Sequence, residues 1–379
     1  MKHVSPIAIY FPQFHAIPEN DAWWGEGFTD WTKVKEGYPL FEGHHQPRIP
    51  ADGYYDLTQK QVIARQIETA KAYGVEGFAI YHYWFDGKQL LETPKELIRD
   101  NPDLDIPFCL TWANETWARR WEGKDSEILM EQTYEPTKEK WKEHFDYVKT
   151  YLTDPRAIRI DGKPLFQIYR PHLVTRVGEM LAYWRELARE EGIGELFIMA
   201  VKSFDFPDNG ILEHFDGVLL FQPHESVNSA DYKGKRAGLE AFLRRLPEKW
   251  VEKLRTLRSK VRTGHVIHPY ETVAKVAVNR KFRYGNKPTY NMAFLEWDNT
   301  ARYKEKATVY HGCTPKKFED FMTSLLRREA EAHGEGSRYV FINAWNEWAE
   351  GTYLEPDTDN GYAYLEALKN ALSRGDGKN

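Results

Sequence analysis

Short segments rich in β-branched and aromatic residues recur along this chain with helical patterns between them, and that alternation constrains its fold more than any other feature. Eight can be read: Val4 to Phe14, Gly74 to Trp84, Ile106 to Glu115, Lys163 to Pro171, Leu196 to Ser203, Phe215 to His224, Asn291 to Asn299 and Arg338 to Trp348. Between the first two, Asp56 precedes apolar positions Val62, Ile63, Ile67 and Ala70, with Gln59 three residues after Asp56 and Gly74 closing the run. This is the form of a capped amphipathic helix. A second pattern, Met180, Leu181, Tyr183, Trp184, Leu187 and Ala188, separates the fourth and fifth segments and ends near Gly192. Strands alternating with helices pair in parallel, and eight such units predict closure into a single (β/α)₈ barrel spanning 1–379. An open doubly wound sheet is the structural alternative. The length of 379 residues suits one barrel, since such domains run from about 250 to more than 400 residues.

Two long insertions interrupt the repeat. Ala16 to Asp56 follows the first strand and carries Trp23-Trp24-Gly25-Glu26-Gly27-Phe28-Thr29-Asp30-Trp31 and Gly43-His44-His45-Gln46-Pro47-Arg48. Loops this long inside compact domains are usually lids or binding loops, which makes Trp24, Glu26, Asp30, Trp31, His44, Gln46 and Arg48 candidates for substrate contact. The second insertion, 225–290, holds sixteen Lys plus Arg against six Asp plus Glu, about +10, while the rest of the chain is about −15. Its pattern Leu239, Phe242, Leu243, Leu246 predicts helix. A solvated helical face is the plain reading of this stretch, and a surface for an anionic glycan, a nucleotide sugar or a membrane leaflet the sharper one. Ser373 to Asn379 reads as a disordered tail.

Charge and composition then narrow the partners. A formal net charge of −5 gives no global basic field for nucleic acid. The 13 Trp, 22 Tyr and 20 Phe are unusually many, and their flat faces with polar handles suit sugars. Cys109 and Cys313 stand far apart without metal-ligand spacing, so neither a disulfide scaffold nor a cysteine metal site is expected. His44, His45 and His82 read as sugar-contacting or structural rather than as ligands, so no metal or other cofactor is expected. The run Ile7 to Phe11 stops at Pro12, too short for a signal peptide or a membrane span. The expected location is cytoplasmic, or periplasmic or secreted for a trimmed mature form.

In a barrel the chemistry sits at the C-terminal ends of the strands. Strand eight runs out as Asn343-Ala344-Trp345-Asn346-Glu347-Trp348-Ala349-Glu350-Gly351. Two carboxylates three positions apart can lie about 5 to 6 Å apart at Cβ, close to the short separation of a retaining glycosidase pair. At such range their proton affinities diverge, so one can serve as acid while the other stays ionised. Two glutamates on a first helical turn would look similar, but the flanking Trp345 and Trp348 favour a site. Other strand ends repeat the theme: His82, Tyr83 and Trp84; Asn114, Glu115 and Trp117; Tyr169 and Arg170; Gln222 and His224; Glu296, Trp297 and Asp298. Carboxylates and amides to bind hydroxyls, with rings to cover apolar sugar faces, converge on a carbohydrate cleft.

The segment Trp345 to Pro356 makes the chain resemble the glycoside hydrolase family 99-like group, and within it the WbsX-type proteins of bacterial O-antigen and polysaccharide gene clusters. The likeness extends to Tyr10-Phe11-Pro12-Gln13-Phe14-His15, the Trp24 to Trp31 and Gly43 to Arg48 loops, Tyr81 to Phe85, Trp112 to Glu115 and Trp297 to Arg302, and so covers essentially the whole chain. It implies a (β/α)₈ retaining hydrolase of α-mannoside- or α-rhamnoside-type linkages in a bacterial polysaccharide. By position, Glu347 would take the proton of the substrate 2-hydroxyl so that O2 attacks C1, giving a 1,2-anhydro sugar, and Glu350 would be acid and then base. Tyr10, Gln13, Trp345 and Asn346 join the strand-end and loop residues as substrate-binding candidates. One departure is Ala349, where the mannosidases typically carry histidine. A variant makes Glu115 the acid/base and Glu296 a covalent nucleophile. Two other classes compete: a glycosyltransferase of O-antigen or polysaccharide biosynthesis, for which Asp357-Thr358-Asp359 spells a metal-binding Asp-x-Asp, and a catalytically silent carbohydrate-binding domain.

Overall fold

The computed structural model describes residues 3–119, 124–203, 209–234, 264–332 and 338–375. Its centre is a ring of parallel strands: β1 (Ser5–Tyr10), β2 (Gly77–Phe85), β3 (Phe108–Trp112), β4 (Lys163–Ile168), β5 (Phe197–Lys202), β6 (Gly217–Leu220), β7 in two pieces (Thr289–Tyr290 and Met292–Phe294) and β8 (Tyr339–Asn343). Each overlaps its expected segment. Ile7 of β1 stands beside Phe341 of β8 on one side and Gly77 of β2 on the other. The ring is completed by β7, whose first piece pairs with β6 and whose second pairs with β8. Asn291 makes the step between the pieces: its carbonyl accepts the Phe341 N–H at 3.1 Å and its side-chain amide donates to the Ala277 carbonyl at 3.0 Å. The architecture is therefore the (β/α)₈ barrel and not the open sheet.

Helices α1 (Lys60–Ala72), α2 (Thr93–Asp100), α3 (Lys138–Leu152), α4 (Val177–Glu190), α5 (Tyr270–Asn279), α6 (Pro315–Ala332) and α7 (Ala363–Gly375) pack around the ring, and a 3₁₀ turn, Asn209–His214, stands between β5 and β6. Helix α1 buries Val62, Ile63, Ile67 and Ala70 as its spacing predicts, although Asp56 accepts from the N–H and hydroxyl of Thr58, both at 2.8 Å, upstream of the first helical residue. Strand residues of one parity, among them Ile7, Ile9, Ala79, Cys109, Met199 and Phe341, fill the barrel interior. The other parity, with Ala8, Phe78, Ile80, Leu110, Ile198 and Ile342, packs beneath the helices. Both faces of each strand are thus buried, the usual condition of a parallel sheet.

The loop after β1 is ordered by two short helices, Pro18–Trp24 and Asp30–Lys35. After β3 a hairpin of Trp117–Arg119 with Lys124–Met130, which the sequence pattern does not anticipate, adds a further wall. Of the 225–290 insertion, residues 235–263, with the Leu239 to Leu246 pattern, lie outside the described residues. Its C-terminal part is barrel as well as insertion: Val266–Pro269 pairs in parallel with Thr308–His311, then come α5 and the first piece of β7. Of the expected tail, residues 373–375 belong to α7, which runs through Gly375 with the Ser373 hydroxyl donating to the Lys369 carbonyl at 3.0 Å, and 376–379 lie outside the described residues.

Candidate active site

At the C-terminal mouth of the barrel the loops enclose a cleft of about 470 Å³. The chain leaves β8 into a small antiparallel pairing of Asn346–Glu347 with Thr352–Tyr353, and a 3₁₀ turn, Trp348–Glu350, joins the two sides. Gly351 closes that turn at φ 59°, a left-handed conformation that favours glycine, and a Cβ there would press on the Asp298 Cβ and carbonyl at 3.0 Å. The Asn346 amide bridges back to β1, accepting the Phe11 N–H at 2.8 Å and donating to the Phe11 carbonyl at 3.0 Å. Trp348 stacks on Tyr353 and donates to Glu355 at 2.7 Å. Glu355 also accepts from the Tyr55 hydroxyl and from Gln66, both at 2.6 Å, and burial pushes its carboxyl up to about 7. The turn between the two glutamates is thereby tied to β1, to α1 and to the loop after β1.

Glu347 and Glu350 meet on one guanidinium. Arg302 Nη1 lies 2.8 Å from Glu350, and Nη2 lies 3.3 Å from Glu347 and 2.7 Å from Asp30. The Trp297 indole N–H donates to the other Glu350 oxygen at 3.0 Å. Glu347 is 2 % exposed, whereas the Glu350 side chain is 27 % exposed to the cleft. Burial pushes the Glu347 carboxyl up to about 8, with Arg302 opposing and the neighbouring Glu350 and Asp30 charges adding to the rise. Asp30 is raised for the same first reason, burial. One carboxyl is therefore deep and proton-retaining while its partner is open to a substrate.

Of the residues expected from sequence, the cleft gathers Gln13, Trp24, Asp30, Glu115, Trp117, Arg170, His224 and Trp297 beside Glu347 and Glu350. The rest stand elsewhere, each for a physical reason. Tyr10, His82, Trp84 and Trp345 have the outward parity or pack with it: Tyr10 donates to Gln66 at 2.7 Å, and His82 meets His144 at 2.9 Å under α3. Trp31 packs on Phe14 at 4.1 Å and donates to the Tyr55 carbonyl. Asn114, Gln222 and Asn346 brace backbone, Asn114 by a reciprocal pair with Arg170 at 2.7 and 2.9 Å and Gln222 by accepting from the Ser226 N–H. Glu26 is exposed on its loop.

The Gly43 to Arg48 loop grips the end of β7 instead of lining the cleft. His44 Nδ1 accepts the Leu40 N–H at 3.0 Å, so its Nε2–H donates to Asp298 at 2.7 Å, and Gln46 donates to the same oxygen at 2.5 Å. Arg48 holds Glu296 in an ion pair. Glu296 thus pairs with Arg48 and is not among the residues that line the cleft with Glu115. Asp357, half of the Asp-x-Asp, is spent on its own turn, accepting the Tyr353 hydroxyl at 2.8 Å and the Asp359 and Asn360 N–H groups at 3.0 and 2.5 Å. Among the described residues no cluster of His, Cys, Asp and Glu is arranged to hold a metal.

The sequence pattern passes over Arg302, which enters it only as the end of a motif, and over Phe11, Tyr81, Phe221 and Asn343, which line the cleft with Tyr83 and Tyr169. Parity was the signal: once Ile7 and Ile9 are inward, so is Phe11, and once Ala79 is inward, so are Tyr81 and Tyr83.

Among known proteins, the chain is similar over 369 residues, at 37% identity, to the WxcX proteins of two strains of Xanthomonas campestris pv. campestris, both described as uncharacterized. The match covers 97% of this chain and 49% of each relative, so the chain spans about half the length of the curated relatives it matches. Among solved structures it resembles the GH99 endo-α-mannosidase of Bacteroides thetaiotaomicron, with a TM-score of 0.53 and 14% identity over 98% of this chain and 97% of that one. It also resembles a glycoside hydrolase-like protein, with a TM-score of 0.59 and 12% identity over 98% and 94%. At these identities the likeness is one of fold. The model of the family described as glycosyltransferase WbsX matches residues 6–368, and the chain belongs to that family.

Proposed function

We propose that this protein is a retaining glycoside hydrolase acting on α-mannoside- or α-rhamnoside-type linkages of a bacterial polysaccharide, with Glu347 and Glu350 as its catalytic pair. The observation that carries the reading is the pair itself: two carboxyls of unequal burial, held by Arg302 at the floor of a cleft walled by Trp24, Trp117, Trp297, Tyr81 and Tyr83. Ionised Glu347 takes the proton of the 2-hydroxyl; O2 attacks C1 as the C1–O bond breaks, and protonated Glu350 gives its proton to the leaving oxygen. The 1,2-anhydro sugar is then opened by water, which loses a proton to Glu350 while Glu347 returns its own to O2, and two inversions at C1 leave net retention. Burial makes Glu347 a strong base once its proton is gone, and because it also holds that proton up to about 8, only the minority of molecules with Glu347 ionised reacts near neutral pH.

The family's description favours a second reading, a glycosyltransferase. The two separate in one experiment: α-mannan- and α-rhamnan-containing polysaccharides are incubated with wild type, Glu347→Gln and Glu350→Gln without nucleotide sugar, and released saccharide is measured. The hydrolase reading expects release by wild type alone. Product that forms only on adding a nucleotide sugar would establish the transferase instead.

A further inference from the structure

Resting on the hydrolase reading, we propose that Asp30 is a positioning acid of the catalytic pair, which competes with Glu347 for one guanidinium nitrogen of Arg302 and so prevents that cation from neutralising the base. Nη2 is shared unequally: 2.7 Å to Asp30 and 3.3 Å to Glu347. The first is the length of a full charge-assisted hydrogen bond, and the second lies beyond it. Asp30 is built into this place. Thr29 caps its helix, accepting the Trp31 N–H at 3.2 Å, and Trp31 is pinned by the Tyr55 carbonyl at 2.7 Å and by Phe14. Asp30 as a whole is 5 % exposed.

The groups that face Glu347 are Arg302 from the segment after β7, Glu350 from its own turn, Asp30 from the loop after β1, and Tyr81 and Tyr83 from β2. Three acids on one guanidinium cannot all carry charge cheaply. Neutralising Asp30 removes a like charge from Glu347 and releases Nη2 to close on it. Both changes lower the proton affinity of Glu347 and make it a weaker base.

The test is an infrared titration of the Glu347 carboxyl band, assigned by subtracting the Glu347→Gln spectrum, on substrate-free wild type, Asp30→Asn, Asp30→Ser and Asp30→Glu. The midpoint should fall by about one pH unit in the Asn and Ser variants and return in Asp30→Glu. On a 4-nitrophenyl α-glycoside that the wild type cleaves, at a pH above both midpoints so that Glu347 is ionised in each protein, kcat of the Asn variant should fall about threefold with KM within about twofold. An unchanged or raised midpoint in folded Asp30→Asn or Asp30→Ser overturns the proposal. A lowered midpoint in a protein that cleaves no glycoside upholds the Asp30–Arg302 coupling and removes the hydrolase reading.

Discussion

The Arg302 guanidinium is shared between the two glutamates and a third acid, Asp30, and it opposes the rise that burial imposes on Glu347. With an activated aryl leaving group, which needs no proton from Glu350, the first step requires only that Glu347 be ionised, and its carboxyl is pushed up to about 8, so kcat/KM on such a glycoside should rise with pH toward a midpoint near 8. A profile from pH 5 to 10 at fixed ionic strength checks this, and a limb completed by pH 6 would contradict it. At this scale the sequence exposes the glutamates, which sit three positions apart at a strand end between tryptophans. It hides their partner, since Arg302 precedes Glu347 by 45 residues and only the closed barrel brings them together. Side-chain direction at the strand ends is equally hidden: in β2 the run Tyr81-His82-Tyr83-Trp84 is buried on both faces, so no polar alternation marks Tyr81 and Tyr83 as inward and His82 and Trp84 as outward.

The elements of the site differ in how they serve it. The strands were legible because each is a short β-branched or aromatic run between helical patterns, and β8 delivers its turn where the alternation predicts. The Gly43 to Arg48 loop reads from sequence as a binding loop but works as a clamp on the end of β7, since His44, Gln46 and Arg48 find partners in Asp298 and Glu296 that no local pattern reveals. Arg48→Met should therefore act on stability before substrate affinity. Breaking a buried pair and leaving one charge behind costs about 3 kcal/mol, and discounting for the 19 % exposure of Glu296 leaves roughly 2 kcal/mol. Urea unfolding should show that loss while KM stays within about twofold. Unchanged stability with a weakened KM would return Arg48 to the substrate.

At the scale of the whole molecule, stability and chemistry pull in opposite directions with pH. Glu355, tied to Tyr55, Gln66 and Trp348, holds its proton up to about 7, whereas an unfolded glutamate releases it near 4.5. Its folded pKa is the higher one, so its stabilising contribution is complete below about 4.5 and is lost as pH rises through 7, on the order of 3 kcal/mol. Buried His82, His144 and His224, whose pKa values burial lowers, act in the reverse sense at acid pH, so the total curve mixes both. The difference between wild type and Glu355→Gln isolates one contribution: the variant should gain on wild type between pH 4.5 and 7, by chemical denaturation, and a constant difference would contradict the assignment. The chain spans about half the length of each curated relative it matches.

The division of labour within the glutamate pair is tested most directly by leaving-group dependence. Wild type, Glu347→Gln and Glu350→Gln are compared on the natural linkage and on a glycoside of the same sugar with a strongly activated aryl leaving group. Because an activated leaving group needs no proton but still needs attack by O2, Glu350→Gln should lose the natural linkage and keep the aryl glycoside, while Glu347→Gln should lose both. Equal residual activity of the two variants on both substrates would contradict the roles assigned to the pair.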